Sequence, residues 1–177
     1  MHCKTDEEYG QHCLKHTFPE FRGRAARGQN IVVAGKAFGC GSSRECAVNA
    51  LIGAGIKCVI ARSFAFIYGR NQANLGLLGI VMEDEEFYNH AEDGRSISIS
   101  LSERSIKVGD RQWNFSISEM ELELISSGGI KPAFRRFGHK VFEAMCPPAH
   151  RILPHGSNRK DVEQEVVDCG SRTELEW

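Results

Sequence analysis

The sequence predicts an α/β domain with a mainly parallel core sheet and a separate antiparallel strand region downstream. Three observations carry that expectation. Residues 30–34 (NIVVA), 58–61 (CVIA) and 77–82 (LLGIVM) are short apolar runs, the pattern of strands buried on both faces. The first two runs are each followed by apolar residues at helical spacing. Beyond residue 95 the period changes to strict alternation, SISISL over 96–101, then 106–108 and 113–117, as half-exposed antiparallel strands require.

The 177 residues are 41% apolar and 25% charged, an ordinary globular composition for one domain. We expect that domain over 1–145. A Pro- and charge-rich tail over 146–177, starting CPPAHRILPHG, is expected to be poorly ordered. A net charge of -1 gives no electrostatic footprint for nucleic acid or an anionic membrane. No run approaches the roughly 18 apolar residues of a membrane span. The start, MHCKTDEEYGQH, lacks the pattern of a signal peptide, so a cytoplasmic location is expected. Seven irregularly spaced cysteines, an odd number, fit reduced thiols rather than a disulfide framework.

Residues 5–16 read as a short helix and FPEFRGRAARGQ as a connection to the first strand. After a glycine loop, Cys46, Ala47, Ala50, Leu51 and Ala54 fall on one helix face that ends at Gly53-Ala54-Gly55. Ser63 can cap a second helix, with Phe64, Ile67, Tyr68 and Leu75 as its stripe and Gly76 closing it. Gly109-Asp110 is a turn between antiparallel strands. Ser118 and Glu121 fit a capping box, although Met120, Leu122 and Leu124 also alternate like a strand; we assign a helix. A further helix is expected over Pro132–Met145.

The glycine loop concentrates the chemistry. GKAFGCGSSRECAVNALIGAG, Gly35 to Gly55, runs directly into a helix start, where backbone N–H groups converge and anions bind. Ser42 with Glu45 also fits a capping box, which would make the serine merely a helix cap. Arg44 argues for more. At the second helical position, where acidic residues are preferred, a planar cation points to a counter-anion such as a carboxylate. Neither G-x-x-x-x-G-K-[ST] nor G-x-G-x-x-G is present, so a phosphate loop is not indicated.

NIVVAGKAFGCGSSRECA, AGIKCVIARSFAFIYGRNQANLGLL and GGIKPAFRRF together resemble the small subunit of isopropylmalate isomerase and the matching swivel domain of aconitase. The resemblance covers roughly residues 5–140. It implies an aconitase-like swivelling β/β/α domain that closes over an iron–sulfur cluster carried by the large domains. Carried over, the family's serine base falls on Ser42 and its carboxylate-binding arginine on Arg44, with Gly41 and Ser43 in the same substrate-binding loop. A serine alkoxide is plausible only where helix-terminus N–H groups and a fixed cation stabilise it, and this loop offers both. Cys46 stands where the family has histidine, and the chain begins after the family's N-T-D-x-I-I-P segment. No cysteine set here matches the family's cluster ligands. The implied cofactor belongs to a large cluster-bearing subunit, the expected partner in a heterodimer; no metal or cofactor site is expected on this chain.

Other residues invite simpler readings. His12 and His16 lie four apart on the expected first helix, a zinc spacing without a third ligand, and read as an exposed polar face. Cys40, usual at its position in the resembling subunits, could be an activated thiol near a helix N-terminus; Cys46 reads as helix face and Cys58 as strand core. Arg22, Arg24 and Arg27 read as a solvated connection, and Glu83–Glu86 as a solvated helix start. Arg70, Asn71 and Asn74 match a family run expected to support the loop through hydrogen bonds. Three functions remain open: a hydro-lyase subunit acting on a hydroxy di- or tricarboxylic acid, a stand-alone cluster-free enzyme on another carboxylated metabolite, and a non-catalytic carboxylate- or partner-binding module.

Overall fold

The computed structural model describes residues 5–41 and 44–145. The expected tail over 146–177 lies outside the described residues. In chain order the elements are α1 (Asp6–Gly10), α2 (Phe21–Ala26), β1 (Ile31–Ala34), α3 (Cys46–Gly53), β2 (Cys58–Ala61), α4 (Phe66–Asn74), β3 (Leu78–Val81) and α5 (Glu85–His90). Then come β4 (Ile97–Ser100), β5 (Ser105–Val108), β6 (Arg111–Asn114), α6 (Glu119–Ser126), α7 (Ile130–Phe137), a 3₁₀ turn (Gly138–Lys140) and α8 (Val141–Met145).

The three apolar runs form one parallel sheet in the order β1-β2-β3, with Ile31, Cys58 and Leu78 in register. This is the expected core. β2 is central and buried throughout, which explains why its sequence is continuously apolar. The downstream strands form a second sheet, antiparallel, in the order β4-β5-β6. The two sheets pack face to face: Cys58, Ile60, Leu78 and Ile80 meet Ile99, Ile106, Val108 and Trp113, with Phe87 of α5 wholly enclosed among them. On the other face of the parallel sheet, Val59 packs with Val48 and Leu51 of α3, Tyr68 of α4, and Phe21 and Ala25 of α2. The result is a layer of helices, a parallel sheet and an antiparallel sheet, the β/β/α architecture expected.

Local expectations fared unevenly. α1 ends at Gly10 rather than His16: beyond it the bonds tighten, His12 N–H to the Tyr9 carbonyl and Cys13 N–H to the Gly10 carbonyl, and Leu14 takes a positive φ of 49° that no helix continues. His12 and His16 therefore sit on turns after α1, and their helical spacing is not realised. The supposed connection contains α2, which buries Phe21 and Ala25, four apart on one face. Its arginines are not simply solvated: Arg22 donates to the Cys13 carbonyl at 3.1 Å, and Arg24 forms a two-pronged ion pair with Asp93. Ser118 and Glu121 make both halves of a capping box, so α6 is a helix as assigned. The last helix starts at Ile130, two residues before Pro132, and is interrupted at Gly138, whose φ of 57° ends α7.

Candidate functional site

In a parallel sheet with helical crossovers, the loops at the carboxyl ends of the strands are free to form a site. The Gly35–Arg44 loop leaves β1 at that edge. Beside it, the segment after β2 continues the pairing: Phe38 N–H donates to the Ser63 carbonyl at 2.9 Å, and Ala65 N–H donates to the Phe38 carbonyl at 2.9 Å. Ser63 does not cap α4, whose N-cap is Ala65. Its hydroxyl instead accepts from Ala37 N–H at 2.8 Å, tying the two loops together.

Beneath this junction lies an aromatic pedestal that sequence reading did not identify. Phe38 meets the ring edge of Tyr68 at 5.2 Å between centroids, while Phe64 and Tyr68 stack at 6.0 Å. Gly39 lies directly on the Tyr68 ring. At a φ of +82° it takes a conformation that suits glycine, and a Cβ there would fall 2.5 Å from Tyr68 Cβ. Ala37 takes a positive φ of 54°, and Cys40 N–H closes a turn onto its carbonyl at 3.1 Å. The expected α4 stripe thus serves the loop through Phe64 and Tyr68, whereas Ile67 faces outward.

Past Cys40 the loop opens. Gly41 is exposed, with no atom of the described residues beyond its chain neighbours within 4 Å of where a Cβ would stand, and Arg44 is exposed too. Ser42 and Ser43 lie outside the described residues. The helix begins later than expected: Glu45 occupies the N-cap position of α3, and its carbonyl accepts from Val48 and Asn49 N–H. Glu45 is therefore not the third helical residue of a capping box. Arg44 precedes the helix rather than occupying its second position. The loop's chemistry consequently sits just outside the helix terminus.

A second charged group stands at the same sheet edge on the other face. Arg62 donates to Glu85 at 2.6 Å and lies over the Tyr88 ring at 4.0 Å. The Arg62 hydrogen bond and charge hold the Glu85 carboxyl below its ordinary range, with Lys36 adding to the effect. Tyr88 is pushed up, chiefly by burial. Arg70 lies over the Phe66 ring at 4.4 Å.

The four cysteines among the described residues do not converge on a cluster site. Cys58 lies between the two sheets and Cys13 in the helical layer, and burial pushes both thiols up, Cys13 to about 11. Cys40 is exposed on the loop and Cys46 half-buried at the start of α3. No group of three or more His, Cys, Asp or Glu is arranged to hold a metal ion among the described residues. The donor set described here does not fit an iron–sulfur cluster.

Residues 4–85, which contain the loop, the pedestal and the parallel sheet, match the aconitase C-terminal domain. A 3-isopropylmalate dehydratase large subunit from Glarea lozoyensis is 43% identical over 173 residues, 98% of this chain, although the chain spans only 19% of that protein's length. The 3-isopropylmalate dehydratase small subunit 1 of Methanopyrus kandleri is 39% identical over 142 residues, which cover 77% of this chain and 81% of the relative. In three dimensions, the 3-isopropylmalate dehydratase of Methanocaldococcus jannaschii superimposes with a TM-score of 0.67 at 30% identity, covering 80% of this chain and 83% of that one. Sequence and overall fold agree over most of the length of such subunits, and the chain belongs to the family of 3-isopropylmalate dehydratase small subunits built on the aconitase C-terminal domain.

Proposed function

We propose that this chain is the small-subunit component of a hydro-lyase that dehydrates and rehydrates a hydroxy di- or tricarboxylic acid, acting with a large cluster-bearing subunit in the cytoplasm. The observation that carries this reading is the Gly39–Tyr68 seat. It seats Gly39, ahead of the S-S-R-E motif, on an aromatic pedestal at the carboxyl edge of the sheet and leaves Gly41 and Arg44 exposed. Preorganisation of this kind lets backbone N–H groups and a guanidinium meet a carboxylate without reorganising around it. Arg44 supplies the two-pronged donor, Gly41 and Ser43 line the approach, and Ser42 acts as the base that accepts the substrate proton. The iron–sulfur cluster belongs to the partner in this reading, and no step on this chain is routed through it.

The test is reconstitution with the large subunit, followed by the ultraviolet absorbance of the unsaturated acid. Ser42→Ala and Ser42→Asp should both assemble with the partner and lose turnover by about 10²–10⁴-fold, the usual contribution of a positioned base. Asp keeps an oxygen-bearing side chain at this position but repels an anionic substrate. Arg44→Lys should weaken carboxylate binding, since a point charge cannot reproduce the guanidinium fork. Normal turnover by Ser42→Asp would reject the base. Turnover by the isolated iron-free chain would favour the stand-alone reading instead.

A further inference from the structure

The far end of the molecule carries a surface that the loop chemistry does not use. The α6–α7 turn packs on the end of α4: a Cβ on Gly129 would lie 2.6 Å from the Asn74 carbonyl oxygen. α7 and α8 thus lie towards the amino ends of the parallel strands, away from the Gly35–Arg44 loop. Their inner faces form a small core of Leu124, Ala133, Val141 and Met145. The outer side of α7, the 3₁₀ turn and α8 is apolar and mainly basic, with Glu143 of α8 its one acidic residue. Ile130, Phe134 and Phe142 are 37%, 49% and 62% exposed. Lys131, Arg135 and Lys140 are exposed beside them on the same short stretch. On α7, positions 130, 131, 134 and 135 fall within one side of the helix.

The chain itself supplies a complement. After Met145, where α8 ends, the sequence continues for 32 residues. Its last part, DVEQEVVDCGSRTELEW over 161–177, holds six acidic residues against the single Arg172. Val162, Val166 and Cys169 fall at offsets of four and seven, an apolar stripe of helical period flanked by Glu163, Glu165 and Asp168. The pattern is the converse of the α7–α8 face, apolar against apolar and acidic against basic. Residues 146–160 supply a spacer that, at about 3.3–3.6 Å per residue, reaches roughly 50 Å. Tethered there, the segment has an effective concentration on the order of millimolar, so a weak complementary contact suffices to hold it. The Glarea lozoyensis relative, matched over 98% of this chain, carries a counterpart of this segment.

From these observations we infer that residues 161–177 dock on the exposed basic and apolar face of α7 and α8 of their own chain, with Val162 and Val166 against Phe134 and Phe142, and the acidic flanks against Lys131, Arg135 and Lys140. Zero-length carbodiimide coupling of the intact chain tests it, because that reagent joins a lysine amine only to a carboxyl already beside it. Peptide mapping should find Lys131 or Lys140 joined to Glu163, Glu165 or Asp168. Lys107, exposed on β5, is the control and should be joined roughly tenfold less often, as expected of ion pairs lacking a fixed partner. The preference should fall with added salt. It should also fall in Val166→Ser and in Arg135→Glu, whose thermal melts should match the parent. Even distribution of links over Lys107 and Lys131 overturns the proposal. So does a preference untouched by Val166→Ser, or links found only between differently isotope-labelled copies, which would assign the face to a second molecule.

Discussion

Replacing Gly39 by alanine strikes the seat of the loop, and the structure gives the size of the effect. The left-handed backbone at a φ of +82° costs a residue bearing a Cβ about 1–2 kcal/mol. That Cβ would also fall 2.5 Å from Tyr68 Cβ, and Tyr68 is buried and cannot swing out. Overpacking of this kind costs about 1–3 kcal/mol more. Gly39→Ala should therefore lose about 2–5 kcal/mol in all, a fall in Tm of roughly 5–15 °C for a chain of this size. Gly41→Ala is the matched control, because among the described residues nothing beyond its chain neighbours lies within 4 Å of its Cβ position; its stability should stay within about 0.5 kcal/mol of the parent. Urea unfolding followed by Trp113 fluorescence, together with thermal melts, reads both. In a Tyr68→Leu background the steric part of the Gly39 penalty should shrink, giving a coupling of about 1–3 kcal/mol between the two sites. A Gly39→Ala protein that melts with the parent, or a penalty unchanged by Tyr68→Leu, would refute the seat.

Three further outcomes follow from particular groups. Among the described residues the buried Tyr68 hydroxyl has no hydrogen-bond partner, so Tyr68→Phe should raise stability by about 1 kcal/mol in urea titrations, whereas a loss would reveal a bridging water. Gly53→Ala would put a methyl onto the Asp6 carbonyl where α1 crosses α3, and should cost about 1–3 kcal/mol and expose the start of α1 to hydrogen exchange. Burial raises the Cys13 thiol from 9.0 to about 11, so its contribution to stability is whole below pH 9 and declines as pH rises towards 11, because the unfolded chain loses that proton first. Cys13→Ala should flatten that part of the pH–stability curve relative to the parent.

The fold was legible because burial writes itself into composition. Cys58 to Ala61 is apolar at every position since β2 has a layer on each face, and 96–101 alternates since β4 has only one. What could not be read depends on contacts between distant residues. α2 looks like a linker because Gly23 and three arginines dilute its pattern, although Phe21 and Ala25 hold it to the helical core. α1 gives way to turns with Leu14 at a positive φ of 49°, and it crosses α3 at Gly10 and Gly53, neither of which the local sequence announces. Ser63 shows a different ambiguity. A hydroxyl before a helix reads as a cap, yet the same group can tie a neighbouring loop, and here Ala37 N–H takes it.

The candidate site divides the same way. Its glycines and Arg44 stand together in one short stretch, so the loop was visible; its support comes from three segments and was not. Phe38, Phe64 and Tyr68 converge only because Phe38 pairs alongside Phe64 as the strands continue past their ends. That pairing also sets on which face of the sheet Arg62 stands. Arg62 leaves β2 on the same side as Ile60, two residues earlier, and its guanidinium lies over Tyr88 and against Glu85, in the layer between the sheets. Its charge is thus committed on the face opposite Tyr68 and the glycine seat. Arg44, at the exposed end of the loop that Tyr68 holds, is the guanidinium that the proposed function assigns to the carboxylate, and the seat at Gly39, close before Gly41 in the same loop, would hold that encounter in register.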